Sequence, residues 1–340
     1  MITRHDHYDL HSQNTFGMNV SCECFIEYDN AADLTELDWD SLPRPVMHIG
    51  EGSNLLFTGD FPGTVLHSRI RYIKYVDMGA DEVPVAVGAG VKLDDFCARA
   101  CADGLWGAEN LSGIPGEVGA AAVQNVGAYG VEIKDILSGV VCYDTRARRK
   151  VSFQADQCGY GYRDSMFKRP ENRGRYIVTG VLLRLRRSYS PKLDYGNIRA
   201  ALEGAAEPLV PQQLRDAILR IRDEKLPDPK RIGSAGSFFK NPVVPREEYE
   251  RIAALVAPAS VPHYDLPDGS VKIPAAWMID QCGLKGRVQG NAAVYDKQPL
   301  VLVNHTGQAS PEEVIALEQL VISTVWERFG VELHPEVEHI

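Results

Sequence analysis

The run Ala235-Gly236-Ser237-Phe238-Phe239-Lys240-Asn241-Pro242 sets a hydroxyl, an ammonium and an amide close together, beside a glycine that lets a ligand approach the backbone. If this is a strand, Phe238 and Phe239 bury in opposite directions and hold Ser237 at its edge. Taken alone, the residues suit a glycine-rich turn with a capping serine better than an active site. A second cluster, Gly50-Glu51-Gly52-Ser53-Asn54, stands between two apolar runs. Its glycines can bare backbone N–H groups to a pyrophosphate, and Ser53 and Asn54 add neutral hydrogen bonds. It lacks the Gly-Lys-Ser/Thr ending of a Walker loop, and a hairpin turn stays open as an alternative. The third stretch, Ile114-Pro115-Gly116 through Gly119, Gln124, Asn125, Gly127 and Tyr129 to Gly130, is long, apolar and studded with glycine. A loop of that kind lies against something large and flat, or packs tightly as structure. Main-chain donors and the Gln124 and Asn125 side chains can meet the polar edge of a flavin, and the two glycine-rich runs together point to a dinucleotide cofactor.

These clusters need elements to carry them. Short β-branched runs at Pro45 to Ile49, Gly63 to Leu66, Val83 to Val87, Val140 to Tyr143 and Tyr176 to Leu185 read as strands. Leu93, Phe96, Cys97, Ala100 and Cys101 share one face of a helix that Gly104 stops. Leu214, Ile218 and Ile221 mark another from Pro211 to about Lys225, ended by Pro227. From Pro311 to Phe329 every terminal signal is present: Ser310 and Glu313 as a capping box, Pro311 in the first turn and Gly330 as the stop. A helix near Pro245 to Val256, a strand at Leu300 to Val303 and a return to strand periodicity at Val331-Glu332-Leu333 complete the expectation.

A chain of 340 residues, 44% hydrophobic, buries a substantial core and suits two or three domains. It has no apolar run of membrane-spanning length and its first residues do not read as a secretory signal, so a cytoplasmic location is expected. The net charge of −10 argues against nucleic-acid binding, although Lys225, Lys230, Arg231 and Lys240 make one segment locally basic and suited to a phosphorylated ligand. The seven cysteines show no four-ligand zinc spacing and are expected as reduced thiols, with no metal.

In order and spacing, Asn14-Thr15-Phe16-Gly17, Gly50 to Asn54, Ile114 to Gly130, Gly161-Tyr162-Arg163-Asp164-Ser165, Lys225-Leu226-Pro227-Asp228-Pro229, Gly236 to Pro242 and Pro335-Glu336-Val337 resemble the UDP-N-acetylenolpyruvoylglucosamine reductase family, over nearly the whole chain. The resemblance implies an α+β protein with an FAD-binding fold of the vanillyl-alcohol-oxidase (PCMH) type in two lobes and a smaller α/β substrate-binding domain. The expected lobes are 1–75 with 313–340, and 76–226; the expected substrate domain is 227–312. FAD and NADPH are the implied cofactors, and UDP-N-acetylglucosamine enolpyruvate is the implied substrate, with no protein partner required. Carried over by motif, Arg163, Ser237 and Glu336 are the catalytic residues, with Ser237 the proton donor. Gly50, Glu51, Gly52, Ser53, Asn54, Ile114, Pro115, Gly116, Gly119, Gln124, Asn125, Gly127 and Tyr129 fall at the flavin. Tyr195 resembles the mobile tyrosine of one structural type, and Lys225, Asn241 and Gln298 match substrate contacts, with Lys285 a weaker match.

Two residues depart from the family pattern: Ala122 replaces a common proline, and His48 precedes the first glycine-rich run. A flavin oxidase of small alcohols or sugars and a non-catalytic nucleotide-sugar-binding protein are the competing readings. The Ser237, Arg163 and Glu336 set disfavours the oxidase, since oxidation needs no donor to quench a substrate carbanion.

Overall fold

The computed structural model describes residues 1–76 and 79–340. The chain divides into two compact units, each discontinuous in sequence. The first comprises Met1–Asp9, Ser21–Gly52 and Phe61–Glu224; the second comprises Leu10–Val20, Ser53–Asp60 and Lys225–Ile340. This grouping differs from the expected boundaries, because residues 313–340 fall with 225–312 rather than with 1–75.

Among the described residues, the first unit holds a four-stranded sheet in the order Ile2–Asp9, Ser21–Tyr28, Phe61–Ser68, Val46–Ile49. Its first pair is antiparallel and the other two are parallel. A five-stranded antiparallel sheet runs Arg149–Gln154, Leu137–Asp144, Tyr176–Arg186, Glu82–Gly88, Ile73–Tyr75. Alternation decides which face is buried: Val83, Val85 and Val87 point inward on one strand, and Val181, Leu183 and Leu185 do so on its neighbour, leaving Leu182, Arg184 and Arg186 in solvent. The helix Leu93–Ala102 lays Leu93, Phe96, Cys97, Ala100 and Cys101 onto this core, as its apolar stripe predicts.

The stretch read as a long loop contains a helix, Val118–Gln124. Its run of glycine and alanine carries no helical stripe, because smallness itself is the packing signal here. A Cβ on Gly119 would lie 2.7 Å from the Ala89 Cβ, so the helix meets the turn after the strand Glu82–Gly88 at a separation that only glycine permits. The Val118 and Gly119 amides donate to the Val91 and Ala89 carbonyls, and Asn125 closes the helix in the left-handed region at φ 45°.

In the second unit, Gly233–Ser234, Leu302–Asn304, Ala292–Val294 and Val288–Gln289 form an antiparallel sheet. A smaller one joins Val243–Val244, Val271–Lys272 and Tyr264–Asp265, near the helix Arg246–Val256. The helix Pro311–Phe329 starts on the expected box, with Glu313 N donating to Ser310 Oγ and Ser310 N to Glu313 Oε2, an arrangement worth about 1 kcal/mol. It buries Val314, Leu317, Val321, Val325 and Phe329 and ends at Gly330, φ 68°. Val331 to Leu333 is not a strand; the pairing falls later, where Glu338–His339 runs parallel to Leu55–Leu56. All seven cysteines are free thiols.

Candidate active site

In the first unit, the glycine-rich run at 50–52 rests directly on the start of the Val118–Gln124 helix. A Cβ on Gly50 would come within 3.1 Å of the Ala120 Cβ and 3.2 Å of Glu117 Oε2. Glu51 is a staple: Oε2 accepts from Gly116 N at 2.9 Å and Oε1 pairs with Lys92 Nζ at 2.7 Å. The carboxylate is thereby spent on joining two glycine-rich runs, and what it leaves for a ligand is backbone. Beneath Gly50 lies a charged pair that sequence reasoning missed. Buried Glu117 accepts from or donates to His67 Nε2 at 3.0 Å according to protonation, and Glu27 Oε1 stands 3.5 Å from His67 Nδ1. Burial by itself lowers the His67 imidazole, but the two carboxylates outweigh it and the net shift is upward. His48 is engaged elsewhere, bonded to the Tyr28 hydroxyl at 2.8 Å, and burial pushes it down to about 3 with His67 adding repulsion.

The end of the same helix is cross-tied to the turn that carries Arg163. Asn125 Nδ2 donates to Gly161 O at 2.7 Å and Glu132 Oε2 at 2.9 Å, while its Oδ1 accepts from Lys134 N. Expected to face the flavin, the Asn125 side chain is instead a fully buried brace. Arg163, itself at φ 53°, returns the tie through Nη2 to Gly127 O at 2.7 Å and Nη1 to Asn125 O at 3.3 Å. Ser165 Oγ donates to Val123 O at 2.6 Å, and Lys168 Nζ to Gln124 Oε1 at 2.7 Å. Each half of this knot holds the other's backbone, so the guanidinium is oriented before any substrate arrives.

Tyr129 and Tyr195 meet edge to face with ring centroids 6.4 Å apart, Tyr195 being the more exposed. Arg222, also missed from sequence, packs over Gly113 and under Tyr129; burial draws its guanidinium below the ordinary value against the pull of the Tyr129 hydroxyl and Asp94.

In the second unit, segments 238–240 and 334–336 run side by side. Glu336 N donates to Phe238 O at 2.8 Å, Lys240 N to His334 O at 2.9 Å, and Phe239 bridges Pro335. Across nearly a hundred residues of sequence, Glu336 is thus paired with Phe238, the residue that follows Ser237. Phe238 and Phe239 are both fully buried and anchor that ladder, with Ser237 just ahead of it and half-buried. Asn54 joins them: its Nδ2 donates to Glu336 O at 3.2 Å and its carbonyl accepts from Glu338 N. Ser53 is half-buried beside it. Thr15 and Ser234 exchange backbone and hydroxyl bonds, which gives the Asn14 to Gly17 motif a structural task. Asn241 Oδ1 accepts from Ala275 N at 3.0 Å, capping the helix Ala275–Gln281, and Gln298 sits half-buried in the turn before Val301. Lys225 and Lys285 are exposed. Of the expected catalytic residues, Ser237 and Glu336 lie in the second unit, with Glu336 paired to the residue after Ser237; Arg163 belongs to the first unit.

A flavin dinucleotide fits the first unit's donor set. The backbone N–H groups of its glycine-rich runs can serve a pyrophosphate, and Asn110 Oδ1 and Ser112 Oγ, just before the Ile114-Pro115-Gly116 run, are buried with no hydrogen-bond partner among the described residues. Among the described residues no cluster of metal-ligating side chains occurs, and no helix is long and apolar enough to cross a membrane.

Comparison with known proteins agrees with this geometry. Residues 40–147 match an FAD binding domain, so the class is an FAD-binding oxidoreductase of mixed α and β structure. Residues 228–340 match the UDP-N-acetylenolpyruvoylglucosamine reductase C-terminal domain. Reductases of that name from Bacteroides fragilis and Chromobacterium violaceum are 49% and 47% identical, the first over 98% of this chain and 99% of its own, the second over 96% of each. The solved UDP-N-acetylenolpyruvylglucosamine reductase of Thermus caldophilus shares the fold, with a TM-score of 0.68 at 24% identity over 100% of this chain and 98% of its own. The chain belongs to the UDP-N-acetylenolpyruvoylglucosamine reductase family.

Proposed function

We propose that the protein reduces UDP-N-acetylglucosamine enolpyruvate with NADPH to UDP-N-acetylmuramate, the peptidoglycan precursor, with Arg163, Ser237 and Glu336 as its catalytic side chains. FAD, held by the glycine-rich runs at 50–54 and 114–130, supplies a hydride carrier between nicotinamide and substrate. Hydride arriving at the enolpyruvyl methylene leaves negative charge on the adjacent carbon and its carboxylate. Arg163 suits that carboxylate, since a guanidinium stays charged and presents paired donors in a fixed plane. Glu336, when protonated, donates a hydrogen bond to the same developing charge. Ser237 delivers the proton to carbon. A serine hydroxyl is a weak acid, so this step depends on placement against a strongly basic carbon, which the buried Phe238 and Phe239 provide by pinning the backbone beside it.

Lys225 is the phosphate-binding cation of this reading, Asn241 and Gln298 the neutral contacts, and Tyr195 the side chain that closes over the diphosphate. NADPH and nucleotide sugars are cytoplasmic metabolites, and we read the protein as cytoplasmic on that ground. The observation that carries the proposal is the 49% identity of this chain, end to end, to a reductase of this name, and it is supported by the pairing of Glu336 with Phe238, the residue after Ser237.

The test is anaerobic flavin absorbance during sequential addition of NADPH and the enolpyruvyl nucleotide. Bleaching followed by recovery is expected. Bleaching without recovery points to another acceptor, and folded protein that takes up no FAD overturns the reading.

A further inference from the structure

His339 has no part in the chemistry above, yet it meets both segments that do. It lies three residues after Glu336, on the strand Glu338–His339 that pairs with Leu55–Leu56. Its ring stands edge-on to Phe238, centroids 6.1 Å apart at 82°, and Phe238 both follows Ser237 and accepts from Glu336 N. On its other side, Nε2 lies 2.8 Å from Glu318 Oε2 on the helix Pro311–Phe329. Glu318 is only 4% exposed, buried on the same helix as Val314, Leu317 and Val321. A carboxylate placed there needs a partner, and His339 is the one it has among the described residues.

The Glu318 hydrogen bond raises the imidazole above 6.5, burial opposes the shift, and the Val337 carbonyl adds a second acceptor. A neutral imidazole carries one N–H, whereas the charged ring carries two and serves both acceptors. Glu318 is the titratable group that faces the ring. Phe238 meets it from the ladder, Leu56 lies opposite on the paired strand, and alternation turns Glu338 to the other face.

We infer that His339 is a positioning residue for the proton-delivering step: clamped to Glu318, it packs on Phe238 and holds the strand that follows Glu336, so that Glu336 keeps its register with the residue after Ser237. The inference rests on the reading of Ser237 and Glu336 as catalytic and adds to it the group that aligns them. Alignment is complete below 6.5, where the ring is charged, and weakens as pH rises through the raised native value.

The experiment uses flavin-loaded wild type, His339→Gln, Glu318→Gln and the double variant, with stopped-flow absorbance of flavin bleaching by NADPH and of reoxidation by the enolpyruvyl nucleotide. His339→Gln keeps an N–H for Glu318 but neither charge nor titration. At about pH 6 it is expected to slow reoxidation about fivefold to tenfold, the difference between a charge-assisted and a neutral hydrogen bond, and to leave bleaching at its wild-type rate. At about pH 9 the wild type has lost the charge too, and the gap closes. Glu318→Gln shows the same loss, and the double variant is no slower than either single one, because the two side chains act as one unit. Where His339→Gln fails to fold, the double variant, which leaves no buried charge, gives the same readout. A gap that does not change with pH, equal slowing of both half-reactions, or additive losses overturns the inference. A wild type that bleaches without recovery brings down the proposed function and this inference together, whereas unmoved variants of a wild type that recovers refute His339 alone.

Discussion

Replacing Arg163 by lysine keeps the positive charge and removes the fork, which makes it a sharp probe of how the guanidinium is held. In the native turn Nη2 bonds Gly127 O at 2.7 Å and Nη1 bonds Asn125 O at 3.3 Å. A lysine ammonium, shorter in reach and without a planar pair of donors, can recover one of these at best. A hydrogen bond involving a charged group contributes about 1.5–3 kcal/mol, so the variant should lose roughly one such increment of orientation. If that orientation is used in the transition state, the rate of substrate reduction falls about tenfold to a hundredfold, since about 1.4 kcal/mol corresponds to a factor of ten. Stopped-flow absorbance separates the two half-reactions: flavin bleaching by NADPH should keep its wild-type rate, and reoxidation by the enolpyruvyl nucleotide should slow. Equal slowing of both halves, or a wild-type second half, would refute the argument that the Gly127 and Asn125 carbonyls pre-aim Arg163 for the substrate carboxylate.

Ser237→Ala should leave bleaching by NADPH intact and reduce the second half-reaction by about a hundredfold or more, within the range of a lost general acid; parallel loss of both steps contradicts a donor role. His67 gains its stabilising partners in the folded state and is raised there, so its contribution is complete below the ordinary histidine value of 6.5 and disappears as pH climbs through the raised native value. His67→Gln should therefore cost about 1–3 kcal/mol at about pH 6 and less at about pH 9, read from urea midpoints; a gap that does not change with pH removes the Glu117–His67 ion pair from the account. Gly119→Ala would drive a methyl into Ala89, costing about 1–3 kcal/mol by overpacking and weakening FAD retention as the helix shifts; an unchanged Tm with unchanged FAD affinity shows that the helix can move away freely.

Local signals were readable wherever the cause was local. The helix Pro311–Phe329 carries its cap, its proline, its stripe and its terminating glycine within its own residues, and the strand at Val83 to Val87 shows its inward face by alternation. The helix Val118–Gln124 escaped because glycine and alanine have no pattern to display; only the Ala89 backbone, brought from thirty residues away, explains their smallness. Asn125 illustrates the same limit at the site. Its type announced a polar role, but whether it faces a ligand or braces the chain depends on Gly161, Glu132 and Lys134 around it. Glu51 likewise gave no hint that Gly116 and Lys92 would claim its carboxylate. Ser237 and Glu336 were linked through family resemblance, whereas the pairing of Glu336 with Phe238, next to Ser237, needed the ladder between 238–240 and 334–336.

The short parallel pairing of Leu55–Leu56 with Glu338–His339 has a consequence for how the protein is made. Asn54 and Glu336, bonded in the finished molecule, are 282 residues apart along the chain. During synthesis at about 5–20 residues per second, the Leu55-Leu56-Phe57 segment therefore waits many seconds with its edge unpaired and its apolar side chains uncovered. Leu56 and Phe57 are fully buried in the finished fold, so a nascent chain short of residues 338–339 lacks the strand that closes the Leu55–Leu56 edge.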